Sequence, residues 1–320
     1  MTKPKISIII PLYVISDRFF MDLKKFAYLK YPNYEILVVC DQKVTIRVSK
    51  ARFIWTHKSH TGPAQKRDLG LKYAIGEICA FIDDDAYPHP NWLTAAVSNF
   101  SDSKIAAVGG PGITPAEDGY WQQLSGLVYE SILCGGFFRH RFMPLDRRLV
   151  TDFPAYNLLV RKSVLLRVGG YGNNFYGGED TFLCLKIIKS GWKILYDPKV
   201  VVYHHRRALF LPLLKQLSNV GLHRGYFAKK FPQTSRQFGY FLPSILLIGF
   251  LLLLIGSFFN SQIQILFFIL LALSLALGWL SIIRKTDSIS AFLVSLGIIS
   301  THLAYGLFFV RGLFTNNLDK

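Results

Sequence analysis

Two different rhythms of apolar residues divide the chain. From Lys5 to His205, short and nearly continuous apolar runs alternate with stretches of helical period. The runs Lys5–Pro11, Tyr34–Cys40, Ala51–Thr56, Glu77–Ile82, Ile105–Val108 and Val200–Tyr203 read as strands. SIIIP and YEILVVC are apolar almost throughout, as strands covered on both faces must be. Helical patterns lie at Arg18–Tyr28, Ala64–Ala74, Asn91–Asn99 and Asp180–Lys189. The alternation predicts an α/β domain: a Rossmann-like, mostly parallel sheet with helices on both faces.

Beyond Arg236 the alternation stops. No charged residue occurs from Phe238 to Ile283 or from Ser288 to Val310, and Arg284, Lys285 and Asp287 stand between the two runs. A helix crosses a bilayer with about 20 apolar residues. The first run therefore accommodates two spans, 239–259 and 263–283, with Asn260, Ser261 and Gln262 as the turn. The second accommodates one more, 289–310, where His302 and several small residues also allow a re-entrant or tilted segment. Three blocks follow: an α/β domain at 1–207, a juxtamembrane segment at 208–237 and a transmembrane region at 238–320. In the juxtamembrane block, Leu213, Leu217 and Val220 share one helical face of Leu209–Phe231, and Gln216, Asn219 and His223 another. Such a helix either lies on the membrane surface or packs on the soluble domain.

The net charge of +17 changes the picture mainly through its placement. Arg206, Arg207, Lys215, Arg224, Lys229, Lys230 and Arg236 precede the spans, Arg284 and Lys285 follow the second, and the first turn has no charge. The positive-inside rule then predicts a multi-pass protein of the cytoplasmic membrane, with residues before 238 in the cytoplasm and the tail after Arg311 outside. Near apolar spans, basic residues are read as partners of an anionic lipid surface, at about 1 kcal/mol each, rather than of nucleic acid. The apolar Ile8–Ile10 is short and stopped by Pro11, so it reads as a strand, not a secretory signal. Cys40, Cys79, Cys134 and Cys184 form no CxxC pair and read as reduced core residues.

Candidate chemistry gathers at strand ends. FIDDD stops a strand at Asp83, Asp84 and Asp85. Open α/β sheets bind ligands beyond the carboxyl ends of their strands. Adjacent carboxylates there either form a solvated acidic turn or hold a hard cation, Mg²⁺ or Mn²⁺, that can bridge to a diphosphate. VGGYGNNFYGGED delivers Glu179 and Asp180 from a glycine-rich loop to a helix start. They are either dipole partners or a carboxylate placed to take a proton from an acceptor hydroxyl. In GPAQKRDLGLKYAIG, Arg67 either faces solvent or grips phosphate, and the segment fits neither GxGxxG nor a P-loop. His204, in VYHH, reads as a core or interface residue or as a metal or phosphate ligand.

Together SIIIPLY, Asp41, GPAQKRDLG, FIDDD, GGYGNNFYGGED and VYHH resemble the family 2 glycosyltransferases of GT-A fold, over roughly residues 5–207. The resemblance implies that Pro11, Tyr13, Asp41, Arg67, Asp83 and Asp84 serve the nucleotide-sugar. It implies Asp83 and Asp85 as the DxD pair, with Asp85 the favoured ligand of Mg²⁺ or Mn²⁺. Asp180 would be the base of an inverting displacement, Glu179 would contact acceptor hydroxyls, and Trp92 would support the acceptor side. The QxxRW motif of processive synthases is absent, which implies one sugar per encounter.

The expected reaction is inverting, metal-dependent sugar transfer from a nucleotide-diphosphate donor to a membrane-associated acceptor. That acceptor is a polyprenyl-linked saccharide, or a saccharide lacking lipid, in cell-surface glycan assembly. Two readings compete: a polyprenyl-phosphate sugar synthase, and a non-catalytic membrane scaffold with a degenerate transferase domain.

Overall fold

The computed structural model describes residues 3–318 except Thr45, Arg47 and Tyr176. It divides into two compact units, one within 3–113 and 143–205, the other within 114–142 and 206–318. The division is not contiguous in sequence. Thr114–Phe142, expected within the first block, is grouped with the C-terminal helices.

The strands of the first unit are β1 (Ile6–Pro11), β2 (Tyr34–Cys40), β3 (Ala51–Trp55), β4 (Ile78–Phe81), β5 (Ala86–Pro88) and β6 (Ile105–Gly109). They continue with β7 (Gly112–Ile113), β8 (Arg148–Val150), β9 (Leu158–Arg161), β10 (Lys193–Tyr196) and β11 (Val202–His204). Eight form one sheet in the order β3-β2-β1-β4-β9-β6-β10-β8. Its pairs are parallel except those made by β9 and β8. Both faces are covered, as the continuous apolar runs require. Ile6, Ile8, Ile10 and Val38 pack with Phe19, Leu23 and Trp92, while Ile9, Leu37 and Val39 pack with Ala64, Leu71 and Leu183.

A second sheet has the order β5-β11-β7. Here β11 runs antiparallel to β5, with His204 opposite Ala86, and parallel to β7. Three of its residues follow directly on the acidic cluster, so its register decides what faces those carboxylates.

In the second unit, helices run Tyr120–Glu130, Ile132–Gly135, Leu211–Lys230, Pro232–Ser235, Phe238–Ser257, Ser261–Ile282 and Ser288–Phe314. Those starting at Phe238, Ser261 and Ser288 are long and apolar enough to cross a membrane. Asn260 caps the second with bonds from the Gln262 and Ile263 N–H groups, and Asp287 caps the third. The last continues past Val310, through Arg311 to Phe314. The Leu211–Lys230 helix forms where the pattern placed it; of the expected stripe Leu213 is buried, Leu217 is half-buried and Val220 is exposed, and the buried face continues through Gly221, Gly225, Tyr226, Phe227 and Ala228. Gly221 and Gly225 let it approach the Ser288–Phe314 helix closely: a methyl at Gly221 would sit 2.6 Å from the Tyr305 carbonyl oxygen.

Candidate active site

The site lies at the carboxyl ends of β1, β2 and β4. Asp41 follows β2 directly and is drawn inward by three donors. The Thr56 hydroxyl bonds one oxygen at 2.8 Å, and the Thr61 N–H and the Lys66 ammonium reach the other at 3.1 and 3.0 Å. Burial works against its charge, but these donors hold its carboxyl below the usual range. Lys66 also donates to the Leu12 carbonyl at 2.8 Å and is itself buried. Pro11 closes β1 as a buried residue, whereas Tyr13 is 64% exposed and its N–H donates to Asp84 at 2.7 Å.

Arg67 occupies the centre of the site. The sequence left it either solvent-facing or phosphate-gripping; the structure buries it, together with Lys66, on the Pro63–Tyr73 helix. Its guanidinium donates to Asp83 at 2.7 Å and to Glu179 at 2.8 Å. Burial disfavours its charge, yet Tyr171, Asp83 and Glu179 hold it protonated well above its ordinary range. The Tyr171 ring packs on it, 5.4 Å from ring centre to guanidinium carbon.

The three carboxylates have different partners. Asp83 faces Arg67, Asp84 accepts from Tyr13, and Asp85 accepts from His204 Nε2 at 3.1 Å. The last contact follows from the β5–β11 register, and the His205 N–H extends the ladder to the Asp85 carbonyl at 2.9 Å. Burial raises the Asp83 carboxyl despite the pull of Arg67, with Asp85 pushing the same way. Asp84 is pushed up to about 6, by burial first and then, against the Tyr13 N–H, by the same crowding. Ligand atoms of Asp83, Asp85 and His204 all lie within 4.8 Å of one another. Two carboxylates and an imidazole so disposed form a hard, mixed oxygen and nitrogen donor set of the kind that takes Mg²⁺ or Mn²⁺.

Asp180 and Glu179 open the Glu179–Lys189 helix after Gly178, which is left-handed at φ 83°. Asp180 is half-buried and accepts from the Thr181 and Ala155 N–H groups at 2.7 and 3.2 Å, which orient it. Both oxygens of Glu179 are engaged inward, by Arg67 and by the Gly177 N–H at 3.0 Å. An exposed contact to an acceptor hydroxyl is therefore less in keeping with Glu179 than a bracing one. Trp92 is 0% exposed and donates to Asn157 at 2.8 Å, so any support it gives the acceptor side comes from beneath.

Three organising residues carry no sequence signal. Asp68 accepts from the Tyr171 and Gly172 N–H groups at 2.7 and 2.9 Å and pins the start of the glycine-rich loop. Lys186 holds the Gly170 and Tyr171 carbonyls from the other side. Tyr176, within that loop, lies outside the described residues. Asn157, fully buried, donates to the Gly110 and Val200 carbonyls, both at 2.7 Å. Trp92→Phe removes the donor to its side-chain oxygen and is expected to cost about 1–3 kcal/mol of stability, measured by thermal unfolding in detergent.

Comparisons with known proteins agree with this geometry. The family model described as "Glycosyltransferase like family 2" matches residues 4–218, more than half of the chain. The pre-mycofactocin glycosyltransferase of Mycobacterium tuberculosis is 30% identical over 152 residues, 47% of this chain and 32% of that protein, so the chain spans about a third of that relative's length. Glycosyltransferase AglE of Haloferax volcanii is 27% identical over 237 residues, 69% of this chain and 73% of that protein. Among solved structures, the mannosyltransferase PcManGT of Pyrobaculum calidifontis, in complex with GDP-Man and Mn²⁺, aligns over 98% of this chain and 88% of its own. Its TM-score is 0.56 at 17% identity, a likeness of fold. With a mostly parallel sheet, the acidic strand end and the family model matched from 4 to 218, the chain is a member of the family 2 glycosyltransferases and has the GT-A fold.

Proposed function

We propose that the protein transfers a sugar from a nucleoside-diphosphate donor to a hydroxyl of a membrane-associated acceptor, a polyprenyl-linked saccharide, with inversion at the anomeric carbon. The observation that carries this reading is the Arg67 bridge. One guanidinium touches Asp83 of the acidic cluster and Glu179 beside Asp180. A donor diphosphate at the strand ends and an acceptor at the Glu179–Asp180 helix start would thus meet within one side chain's reach.

The roles follow from the contacts. Asp41, Tyr13 and Pro11 would receive the nucleoside, with Tyr13 offering its exposed ring. Asp83, Asp85 and His204 would hold Mg²⁺ or Mn²⁺, whose chemistry when bound is Lewis-acid compensation of diphosphate charge. Asp84 would keep the Tyr13 backbone against the cluster. Asp180, oriented by two N–H groups, would accept the proton of the attacking hydroxyl, while Glu179 and Arg67 brace it. Two relatives support a lipid-linked acceptor by their names: a Methanococcus voltae glucuronosyltransferase named for a dolichyl sugar phosphate, 24% identical over 70% of this chain, and a glucosyl-dolichyl phosphate glucuronosyltransferase of Haloferax volcanii. The apolar helices support the same placement, with the transferase unit on the cytoplasmic side by the distribution of basic residues.

The test is acceptor-dependent nucleotide release from UDP-, GDP- and dTDP-sugars by the detergent-purified full chain, with Mn²⁺ or Mg²⁺. Asp85→Asn should raise the metal concentration needed for half-maximal rate by about tenfold or more. Transfer that is indifferent to metal and to Asp85 would sink this reading. Transfer restricted to polyprenyl phosphate, with Asp180 dispensable, would replace it with the phosphate-acceptor synthase.

A further inference from the structure

The last apolar helix is long enough to cross a bilayer, but its contacts do not run in the direction a third crossing needs. The helices Phe238–Ser257 and Ser261–Ile282 form an antiparallel hairpin: Gly256 lies against Ile263 near the turn, and the rings of Phe250 and Phe267 are 5.3 Å apart further along. The Ser288–Phe314 helix touches this hairpin at two points. Its Ser295 hydroxyl donates to the Leu275 carbonyl at 2.7 Å and its backbone abuts Gly278, near the end of the second hairpin helix. The Gly306 carbonyl accepts from Ser244 at 3.1 Å and the Phe309 ring meets Phe241 at 4.8 Å, near the start of the first hairpin helix.

Both points lie at the open end of the hairpin, at nearly the same depth. Yet Ser295 and Gly306 are separated by roughly 16 Å of helix at 1.5 Å per residue. A helix crossing alongside the hairpin would change depth by that amount between them. This one runs across the open end instead. In the distal half of the hairpin Leu252, Ile255, Phe258, Phe259, Ile265 and Phe268 are all exposed.

The neighbours of the last helix point the same way. The Leu211–Lys230 helix runs parallel to it, Gly221 against Tyr305 and Gly225 against Phe309, and the Lys229 ammonium donates to the Thr315 carbonyl at 2.6 Å. If the last helix crossed the hydrocarbon, this charged partner, with Lys215, Arg224, Lys229 and Lys230, would be carried in with it. Charged side chains at the bilayer centre cost several kcal/mol each. Its other flank is held by polar contacts, Tyr120 hydroxyl to Ser290 at 2.8 Å and His302 to the Leu133 carbonyl at 2.9 Å, and in the turn that precedes it Lys285 pairs with Glu130 at 2.6 Å.

We infer that the chain crosses the membrane twice, through the Phe238–Ile282 hairpin alone, and that the Ser288–Phe314 helix lies in the headgroup region across the hairpin's open end. The C-terminus then stays on the same side as Arg236. The layer it occupies is the lipid interface, where exposed Ile289, Phe292, Leu307 and Phe314 on this helix and Tyr120, Trp121 and Phe137 beside it find their partner.

Single-cysteine variants of the full chain, labelled with a membrane-impermeant maleimide in intact cells and after lysis, test the inference. Ser261→Cys, at the hairpin turn, should react from outside in intact cells, and a cysteine added after Lys320 only after lysis. Depth follows from quenching of a bimane at Ile289→Cys and at Leu307→Cys by lipids with the quencher at known positions. Both should report the same shallow depth, although roughly 27 Å of helix separates them. A C-terminal cysteine labelled from outside, or depths that differ by most of a bilayer, would overturn the two-crossing arrangement, as would an unreactive Ser261→Cys in folded protein.

Discussion

Arg67→Met is expected to lower folding stability by about 3–5 kcal/mol, because it strips the cation from two inward-facing carboxylates at once. Asp83 and Glu179 lie 2.7 and 2.8 Å from the guanidinium, and the side chain of Glu179 is nearly sealed from solvent. An apolar replacement fills the volume but leaves both carboxylates without the cation they face. The measurement is thermal and denaturant unfolding of the detergent-purified chain. A second arm separates charge from packing: Arg67→Met combined with Glu179→Gln should recover part of the loss, a coupling that two independent sites would not give. If the double variant lost the sum of the single effects, the bridge would not be the source of the stability.

Asp180→Asn carries the second large effect. General base catalysis of hydroxyl attack contributes about 10²–10⁴-fold, or roughly 3–5 kcal/mol of barrier. The asparagine keeps the size of the side chain and an oxygen for one of the two N–H groups that the carboxylate oxygens accept separately, but it cannot take a proton. A fall in kcat within that range is therefore expected, with the donor KM little changed, in steady-state transfer assays at fixed metal. A fall in donor affinity with kcat preserved would place Asp180 on the donor side and remove it from the proton transfer.

The strands that organise the site were legible because they are buried on both faces. SIIIP and YEILVVC announce β1 and β2 within a residue of their observed ends. β9 was not legible, although it sits between β4 and β6 at the middle of the sheet. It has four residues, LLVR, and the Lys162–Arg167 helix begins at the next one, so no run of apolar positions stands clear of its surroundings. The acidic cluster was visible as a motif, and His204 as an open alternative. What joins them is a pairing between residues 119 apart in sequence, which no local pattern encodes. Asp68 and Asn157 were invisible for the same reason: each is an ordinary polar residue whose partners come from distant segments. On the Leu211–Lys230 helix the hydrophobic stripe found Leu213 and Leu217 but not the contact beyond Val220, because close approach of two backbones is signalled by glycine rather than by leucine.

The twin histidines at the end of β11 have one further consequence. Successive side chains on a strand point to opposite faces. His204 turns to Asp85 and Tyr156, while His205 turns to the Asp17–Lys25 helix, where its Nδ1 accepts from Arg18 at 2.9 Å and its Nε2 reaches Asp22 at 3.1 Å. Inserting or deleting one residue in β5 or β11 would exchange the two imidazoles and hand each the other's task. Alignments of this chain with its relatives should therefore be read for gaps before they are read for identity. A substitution at Tyr87 or Tyr203 leaves the ladder in step, whereas a single gap between Asp85 and Pro88, or between Val202 and His205, marks a protein whose acidic cluster has lost its imidazole.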